Sequence, residues 1–238
     1  MWYKPNELLK FVNLLPDLKT DEVWFVSLSA RKKYISEELA KQINLNRAEM
    51  FNRHIIRSVE KFPHIIERLS GDGYYTKDGL VYPDKSLVTY FNVNPTSMIR
   101  AYSKFTQKVT ELLAELSLKE GPIAEHTTRQ IRKLDVLFMN QVQQCRATKN
   151  FIDIDVDTKD AKVLATLLDE LKMMDCKHHV VVTHGGYHVL LDRKTIGFNY
   201  HEIVAKCDGM TDKEVIVNPN EMIPLPGTMQ GDHLVTLL

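Results

Sequence analysis

The clearest alternation of hydrophobic and polar positions lies at residues 149–162, KNFIDIDVDTKDAK. Isoleucine and valine fill the gaps between Asp153, Asp155 and Asp157, which occupy every second position. Successive side chains of a strand point to opposite faces, so the three carboxylates share one face and the apolar residues share the other. The pattern predicts a strand with one acidic face and one buried face.

The segment that follows this strand alternates helical and extended stretches. Leucines at helical spacing predict a helix over residues 159–174, and HHVVVTH and YHVLLD predict two strands joined by a tight turn at Gly185-Gly186. Residues 200–207 predict a short helix, and EVIVN predicts a last strand. This β-α-β-β-α-β order is that of a ferredoxin-like or RRM-like sheet, whose first and third strands are neighbours. We therefore expect Asp153 and Asp155 to lie beside YHVLL.

The N-terminal part predicts a mainly helical α/β module. Its expected elements are a helix near residues 8–18, a strand at EVWFVSLS, helical residues 36–69, a loop at GDGYYTKDGLVYPDKS, a strand at LVTYFNVNP, and helical residues 96–149 broken near Gly121-Pro122. The expected fold class is α+β. We expect an N-terminal module at residues 1–149 and an RRM-like module at residues 150–238 that carries the chemistry.

Composition narrows the function classes. The 238 residues are 44% hydrophobic and 26% charged, and the formal net charge is zero. That balance argues against a basic nucleic-acid packaging protein but allows a local basic groove. The three cysteines are far apart and form no CxxC pair, so we expect no zinc and a reducing cytoplasm. No apolar run is long enough to span a bilayer, so we expect no membrane partner.

The acidic strand has the chemistry of a metal site. Cα atoms two residues apart on a strand are separated by roughly 6.5 to 7 Å, so the carboxylates of Asp153 and Asp155 can lean together. Mg²⁺ and Mn²⁺ prefer oxygen ligands, and two such ions roughly 3.5 to 4 Å apart suit phosphoryl displacement. The alternative is a solvated sheet face whose acids contact only water and lysines.

A histidine lies at the start of the third strand of this module, directly after a glycine-rich turn. In THGGYH, Thr183 and two glycines precede His188, which opens the strand YHVLLD. A histidine beside an acidic pair can donate a hydrogen bond to a nucleotide phosphate, and the glycines would let the backbone approach that phosphate or the sugar. The alternative is an ordinary Gly-Gly hairpin with a surface histidine.

Together these motifs resemble the archaeo-eukaryotic primase superfamily, the primase-polymerases. Its DxD strand resembles FIDID, its small-x-His motif resembles GYH at residues 186–188, and its R-x-PGT segment, found in many viral and plasmid members, resembles MIPLPGTMQGD at residues 222–232. Two positions depart from the pattern. Gly186 stands where serine is common, and Pro224 stands where arginine is common, so the cation expected there must come from elsewhere or be absent.

The resemblance implies a DNA primase or primase-polymerase of viral, phage or plasmid type that synthesises primers on single-stranded DNA by two-metal-ion nucleotidyl transfer. Two Mg²⁺ or Mn²⁺ ions would be held by Asp153, Asp155 and Asp212. Asp212 is the preferred third acid. Glu214 is the next catalytic candidate, and Glu221 is the least favoured of the three. The implied nucleotide-binding residues are Thr183, Gly186, His188, Arg193, Lys194, Thr228 and Gln230.

The implied partners are a single-stranded DNA template and NTPs or dNTPs. No helicase P-loop is present in the sequence, so a replicative helicase would be a separate protein. Template binding would be electrostatic. The candidate residues are Arg31, Lys32 and Lys33, and a second candidate cluster is Arg100, Lys104 and Lys108 at helical spacing. Either cluster is otherwise a solvated charged face.

Two other functions remain open. A rolling-circle replication initiator or relaxase uses a His-hydrophobic-His metal motif, whereas His178 and His179 are adjacent and would face opposite ways on a strand. A non-catalytic RRM-like nucleic-acid-binding module would be expected to carry paired aromatic residues on its central strands. Here the central strand carries aspartates, which repel a phosphate backbone unless a metal ion intervenes.

Overall fold

The structure is a computed structural model that describes residues 3–71, 73–76, 78–118, 120–197, 200–209, 215–217 and 222–238. The helices of this part of the chain are α1 (Pro5–Val12), α2 (Glu37–Gln42), α3 (Phe62–Gly71), α4 (Met98–Leu118), α5 (Pro122–Ile131), α6 (Leu134–Gln144), α7 (Ala161–Met173), α8 (Arg193–Ile196) and α9 (Tyr200–Gly209). The strands are β1 (Glu22–Arg31), β2 (Ala48–Ile56), β3 (Leu87–Asn92), β4 (Thr96–Ser97), β5 (Phe151–Val156), β6 (His178–Val182), β7 (Tyr187–Asp192), β8 (Val215–Val217), β9 (Met222–Pro224), β10 (Met229–Gln230), β11 (His233–Leu234) and β12 (Thr236–Leu237). The fold is mixed α+β with antiparallel sheets.

The first sheet is built around β1, which is buried along nearly its whole length. Its strand order is β2-β1-β3-β9, and β4 pairs with the start of β1. Trp24 and Val26 of β1 belong to the core that also contains residues of α1 and α3. Phe25 belongs to a smaller core with Met98 of α4 and Val142 of α6. The first half of β1 is apolar on both faces and lies between these two cores, whereas Ser27 and Arg31 in its second half line a cavity.

The second sheet has the strand order β12-β6-β7-β5-β8. β5 pairs antiparallel with β7 and with β8, so the predicted contact between the acidic strand and YHVLL is confirmed. Ile152, Ile154 and Val156 of β5 are buried with residues of α7 and α9, which confirms the predicted apolar face. Helix α7 begins after Asp160, whose carboxylate accepts a hydrogen bond of 2.9 Å from the Lys162 amide.

The two sheets share one core. Trp24 and Phe91 of the first sheet belong to the same buried cluster as Phe151 and Leu190 of the second. All strands of the second sheet follow residue 149, and most strands of the first sheet precede it. The exception is β9, which comes from the C-terminal part and pairs with β3 of the first sheet. The acidic face of β5 is therefore fixed against the N-terminal part of the chain.

The helical prediction for residues 36–69 is wrong in its middle. Residues 48–56 form β2, which pairs antiparallel with β1. β2 is the edge strand of its sheet among the described residues, and most of its side chains are at least partly exposed, so the alternation typical of a half-buried strand is missing from its sequence. The strands predicted at EVWFVSLS and LVTYFNVNP are confirmed, and so is the helical region after residue 96, which is split into α4, α5 and α6.

Within the described residues, no helix combines the length and the apolar character that crossing a bilayer requires.

Candidate functional site

The two central acids of β5 share a face but differ in burial. Asp153 is 0% exposed, whereas the side chain of Asp155 is 46% exposed. Asp157 lies one residue beyond the end of the strand and is exposed. The face that carries them is covered at the Asp153 end by the core shared with the first sheet, and it opens at the Asp155 end.

His188 of β7 lies directly opposite Asp155 in the strand register. Its Nδ1 is 3.1 and 3.2 Å from the two carboxylate oxygens of Asp153, and its Nε2 is 3.9 Å from Oδ1 of Asp155. An ionised carboxylate only accepts hydrogen bonds, so Nδ1–H is the donor to Asp153. The predicted position of a histidine beside Asp153 and Asp155 is therefore confirmed.

Burial and charge act in opposite directions on these groups. Burial lowers the pKa of His188. The charges of Asp153, Asp155 and Asp157 and the hydrogen bond to Asp153 raise this pKa by more than burial lowers it, so the net shift is upward. Burial is also the largest influence on Asp155, and together with the charges of Asp153 and Asp157 it raises the pKa of that carboxyl against the opposing effect of His188. This end of the site is an anionic cluster that a cation stabilises.

The hairpin between β6 and β7 is closed through Thr183 and Gly186. The Thr183 amide donates to the Gly186 carbonyl over 2.9 Å, and the Gly186 amide lies 3.2 Å from the Thr183 hydroxyl. A Cβ at Gly186 would overlap the carbonyl oxygen of Val156 and lie 2.8 Å from the amide nitrogen of Thr158. Glycine is required here by the approach of the hairpin to the end of β5, so the serine common in the primase motif has no room.

A cavity of about 840 Å³ lies where the first sheet, the end of α6 and the acidic face of the second sheet meet. This volume is within the usual range of small-molecule sites. The residues that line it are Ser27, Arg31, Lys33, Arg47, Met50, Tyr90, Gln143, Gln144, Arg146, Asp155, Asp157, Thr183, Gly185, Gly186, His188, Met222, Pro224 and Gln230. Its lining therefore combines two carboxylates and a histidine with four cationic side chains.

The cationic side chains come mainly from the N-terminal part of the chain. Arg31 lies over the ring of Tyr90, with 5.6 Å between the guanidinium carbon and the ring centroid. Lys33 lines the cavity, but Lys32 forms an ion pair of 2.8 Å with Glu37 instead. Of the predicted basic cluster, Arg31 and Lys33 therefore reach the site and Lys32 does not.

Arg47 and Arg146 also line the cavity, and sequence reasoning did not single them out. Arg47 precedes the edge strand β2, and Arg146 follows α6, so no local motif marks either of them. These arginines and Arg31 line the same cavity as Pro224, which stands where the resembled motif has an arginine.

Gln230 is held at the cavity by two hydrogen bonds. Its Nε2 donates to the Tyr34 hydroxyl over 2.7 Å, and its Oε1 accepts from the His184 amide over 2.8 Å. The rings of Tyr34 and His184 are in edge contact, with centroids 5.2 Å apart. Gln230 therefore joins the β6–β7 hairpin to the segment that follows β1, and it lines the same cavity as Asp155 and His188.

Thr228 is placed elsewhere. It is fully buried and its hydroxyl donates to the Leu225 carbonyl over 2.7 Å, so it does not line the cavity. The preceding Gly227 has φ +88 and packs so closely on α1 that a Cβ would lie 2.6 Å from the Leu8 nitrogen. The amide of Lys4 donates to the Gly227 carbonyl. In this chain the PGT-like segment anchors the start of α1.

Arg193 and Lys194 are also separated from His188. They begin α8 at the opposite end of β7, and the Lys194 amide donates to the Asp192 carboxylate over 2.9 Å. Arg193 is five residues beyond His188 along an extended chain, a span of about 17 Å. Arg193 lines a different cavity with Lys149 and Tyr200. The structure does not bring either residue to the phosphate expected at His188.

The donor set partly fits the divalent ions that the sequence implies. Asp155 and Asp157 line the cavity and offer the carboxylate oxygens that Mg²⁺ and Mn²⁺ prefer. Asp153, which was also expected to hold a metal ion, is fully buried, does not line the cavity and instead accepts a hydrogen bond from His188. The other expected acids, Asp212, Glu214 and Glu221, lie outside the described residues. Among the residues that are described, no group of three or more His, Cys, Asp or Glu side chains is arranged to hold a metal ion.

The two histidines relevant to a relaxase-type site lie away from this cavity. The Nδ1 of His178 is 3.0 Å from the Cys176 carbonyl, and His179 packs its ring against Phe151.

No protein-family model, no curated protein and no solved structure matches this chain.

Proposed function

We propose that the chain is a nucleotidyltransferase of the primase-polymerase type, which adds nucleotides opposite a single-stranded DNA template. The observation that carries this proposal is the charge arrangement of the cavity. Asp155, Asp157 and His188 line the cavity together with Arg31, Lys33, Arg47 and Arg146. A nucleoside triphosphate bound with divalent ions has the complementary distribution, with anionic phosphates beside cations.

The strand order of the second sheet supports the same assignment. β6-β7-β5-β8 is the arrangement expected for the RRM-like module of this family, with the acidic strand and the histidine strand side by side. We infer from this that the FIDID and GYH motifs act together at one site.

Each side chain has a distinct role in the proposed reaction. Asp155 and Asp157 would hold the metal ions, with Asp212 or Glu214 as further ligands. When bound, such ions lower the pKa of the attacking hydroxyl and stabilise the leaving pyrophosphate. Asp153 fixes the ring of His188 through Nδ1–H. When the imidazole is protonated, its Nε2–H, which lies toward Asp155, would donate to a triphosphate oxygen.

The four cationic side chains that line the cavity would neutralise the negative charge of the substrate phosphates. Arg31 and Arg146 offer guanidinium groups that pair with phosphate through two hydrogen bonds, and Lys33 adds a point charge. Gln230 would fix the segment that carries Tyr34 relative to the β6–β7 hairpin, through its hydrogen bonds to Tyr34 and His184.

The proposal is tested by nucleotide incorporation. Wild-type protein is incubated with single-stranded DNA, Mg²⁺ or Mn²⁺ and labelled NTPs or dNTPs, without and then with a primer. Asp155→Asn is expected to reduce incorporation by about 100-fold or more, because the metal contribution is several kcal/mol. The matched control is Asp169→Asn, an exposed carboxylate of α7 that pairs only loosely, at 3.8 Å, with Lys172.

A second candidate is a non-catalytic single-strand-binding module, which the cationic lining of the cavity favours. Oligonucleotide binding without any incorporation would support that candidate and contradict the transferase. Strand nicking without incorporation would instead support the relaxase.

A further inference from the structure

A second groove lies next to the cavity, between α4 and the end of α6. It has a volume of about 530 Å³ and is lined by Ile99, Arg100, Lys104 and neighbouring residues. Gln144 and Arg146 line both this groove and the cavity. The two depressions therefore adjoin at the segment that carries Gln144 and Arg146.

The cations of this groove are available to a ligand. Arg100 and Lys104 are exposed and lie four residues apart on α4, so they share one helix face. Among the described residues, no salt bridge involves either side chain. Arg100 instead donates to the Arg146 carbonyl over 2.9 Å, which links the groove to the cavity.

The next cation along the helix behaves differently. Lys108 pairs with Glu111 at 3.3 Å and does not line the groove. Of the three basic residues at helical spacing, the structure therefore assigns Arg100 and Lys104 to the groove and places Lys108 outside it.

Apolar surface beside these cations favours a single strand over a duplex. Ile99 is 69% exposed and lines the groove next to Arg100. A single strand offers unpaired base faces to the Ile99 side chain as well as phosphates to the cations, whereas the bases of a duplex are stacked inside the helix.

We propose that a single-stranded nucleic acid binds along α4, contacts Arg100 and Lys104 through its phosphates, and passes Arg146 into the cavity. This inference deepens the proposed function and rests on it in one respect: the strand is the template of the reaction at Asp155. The binding itself depends only on the groove.

The test is binding of a fluorescein-labelled oligothymidylate, measured by fluorescence anisotropy at several salt concentrations. The variant Arg100→Ala/Lys104→Ala is expected to bind about tenfold more weakly. Its log–log salt dependence is expected to be shallower by about 1.4, since each phosphate contact to a single strand contributes about 0.7. Lys108→Ala is the matched control, and its affinity and slope are expected to equal those of wild type.

Two further measurements complete the test. Binding of a fluorescent dATP analogue with Mn²⁺ is expected to be unchanged in Arg100→Ala/Lys104→Ala, because the nucleotide lies in the cavity. A DNA duplex of the same length is expected to bind more weakly than the single strand. The inference is overturned if Lys108→Ala weakens binding as much as the double variant, or if the duplex binds as tightly as the single strand.

Failure of this inference is distinguishable from failure of the proposed function. Incorporation that requires Asp155, together with unaltered oligonucleotide binding in Arg100→Ala/Lys104→Ala, would remove the groove and leave the transferase. Weakened binding in that variant, with no incorporation by wild-type protein, would leave the groove and remove the transferase.

Discussion

Nδ1 of His188 lies 3.1 Å from Oδ1 of Asp153, and both residues are buried. The pair is formed across β5 and β7 and has its second hydrogen-bonding face, Nε2, turned toward Asp155. A fully buried carboxylate is costly unless a hydrogen bond or a charge compensates it, and His188 compensates Asp153. The pair therefore both stabilises the sheet and orients the imidazole.

Removing one partner of this pair is expected to destabilise the fold. Asp153→Ala leaves His188 buried among the remaining groups without its hydrogen-bond acceptor, and the free energy of unfolding should fall by about 3 kcal/mol. Urea denaturation in the presence of EDTA measures this change. Asp169→Ala, at an exposed position of α7, should change stability by less than about 0.5 kcal/mol. A loss for Asp153→Ala no larger than for Asp169→Ala would contradict a stabilising pair.

Any side chain at Gly186 should be poorly tolerated. Because its Cβ would overlap the Val156 carbonyl, Gly186→Ala must displace the hairpin from β5, and a loss of about 3 kcal/mol or more is expected. Thermal or urea unfolding measures it. Gly71→Ala is the control, since a Cβ at Gly71, in the last turn of α3, meets nothing within 4 Å. Equal stability of the two variants would show that the hairpin is not packed as described.

Glu22 should make stability depend on pH in the acid range. Its carboxylate accepts hydrogen bonds from the Thr148 hydroxyl at 2.6 Å and from the Lys19 amide at 3.0 Å. Burial alone would raise its pKa, but these bonds, the Thr148 amide and the charge of Lys19 outweigh burial and lower the pKa below the ordinary 4.5. A depressed pKa contributes stability above 4.5 that is lost as the pH falls through the folded-state value.

The Glu22→Gln variant isolates this contribution. Between about pH 5 and 3, the free energy of unfolding of wild type should fall more steeply than that of Glu22→Gln, as measured by urea denaturation at each pH. Parallel curves for the two proteins over that range would show that Glu22 has no depressed pKa in the folded state.

Adjacent basic residues should differ in their effect on nucleotide binding. Arg31 lines the cavity, whereas its neighbour Lys32 pairs with Glu37. Arg31→Met should weaken binding of a fluorescent nucleoside triphosphate by about tenfold, because a charge-assisted hydrogen bond to phosphate is lost. Lys32→Met should bind almost as wild type does. A larger effect of Lys32→Met would place the phosphates outside the cavity.

The C-terminal sheet could be predicted because its signals are local. The alternation in FIDIDV, the leucine spacing of α7 and the turn at Gly185-Gly186 are each complete within a short segment. The position of Asp153 and Asp155 beside YHVLL followed from the usual neighbours in a β-α-β-β-α-β sheet. Local patterns were sufficient for these elements because each buries one full face.

The parts that could not be predicted depend on distant partners. β2 is an edge strand whose pairing with β1 decides its structure, and its own spacing of apolar residues imitates a helix. Arg47 and Arg146 reach the cavity only because two sheets and the end of α6 meet there. Thr228 was expected at the nucleotide on resemblance alone, but the packing of Gly227 against Leu8 turns it into the core.

The most direct measurement is the binding of Mn²⁺ together with a non-hydrolysable deoxynucleoside triphosphate, followed by electron paramagnetic resonance of the free ion. Wild type and Asp169→Asn are expected to bind Mn²⁺ equally, and Asp155→Asn is expected to bind it at least about tenfold more weakly, because Asp155 is the half-exposed carboxylate beside His188 in the cavity. Equal Mn²⁺ affinity in wild type and Asp155→Asn would contradict a metal-dependent nucleotidyl-transfer site at this position.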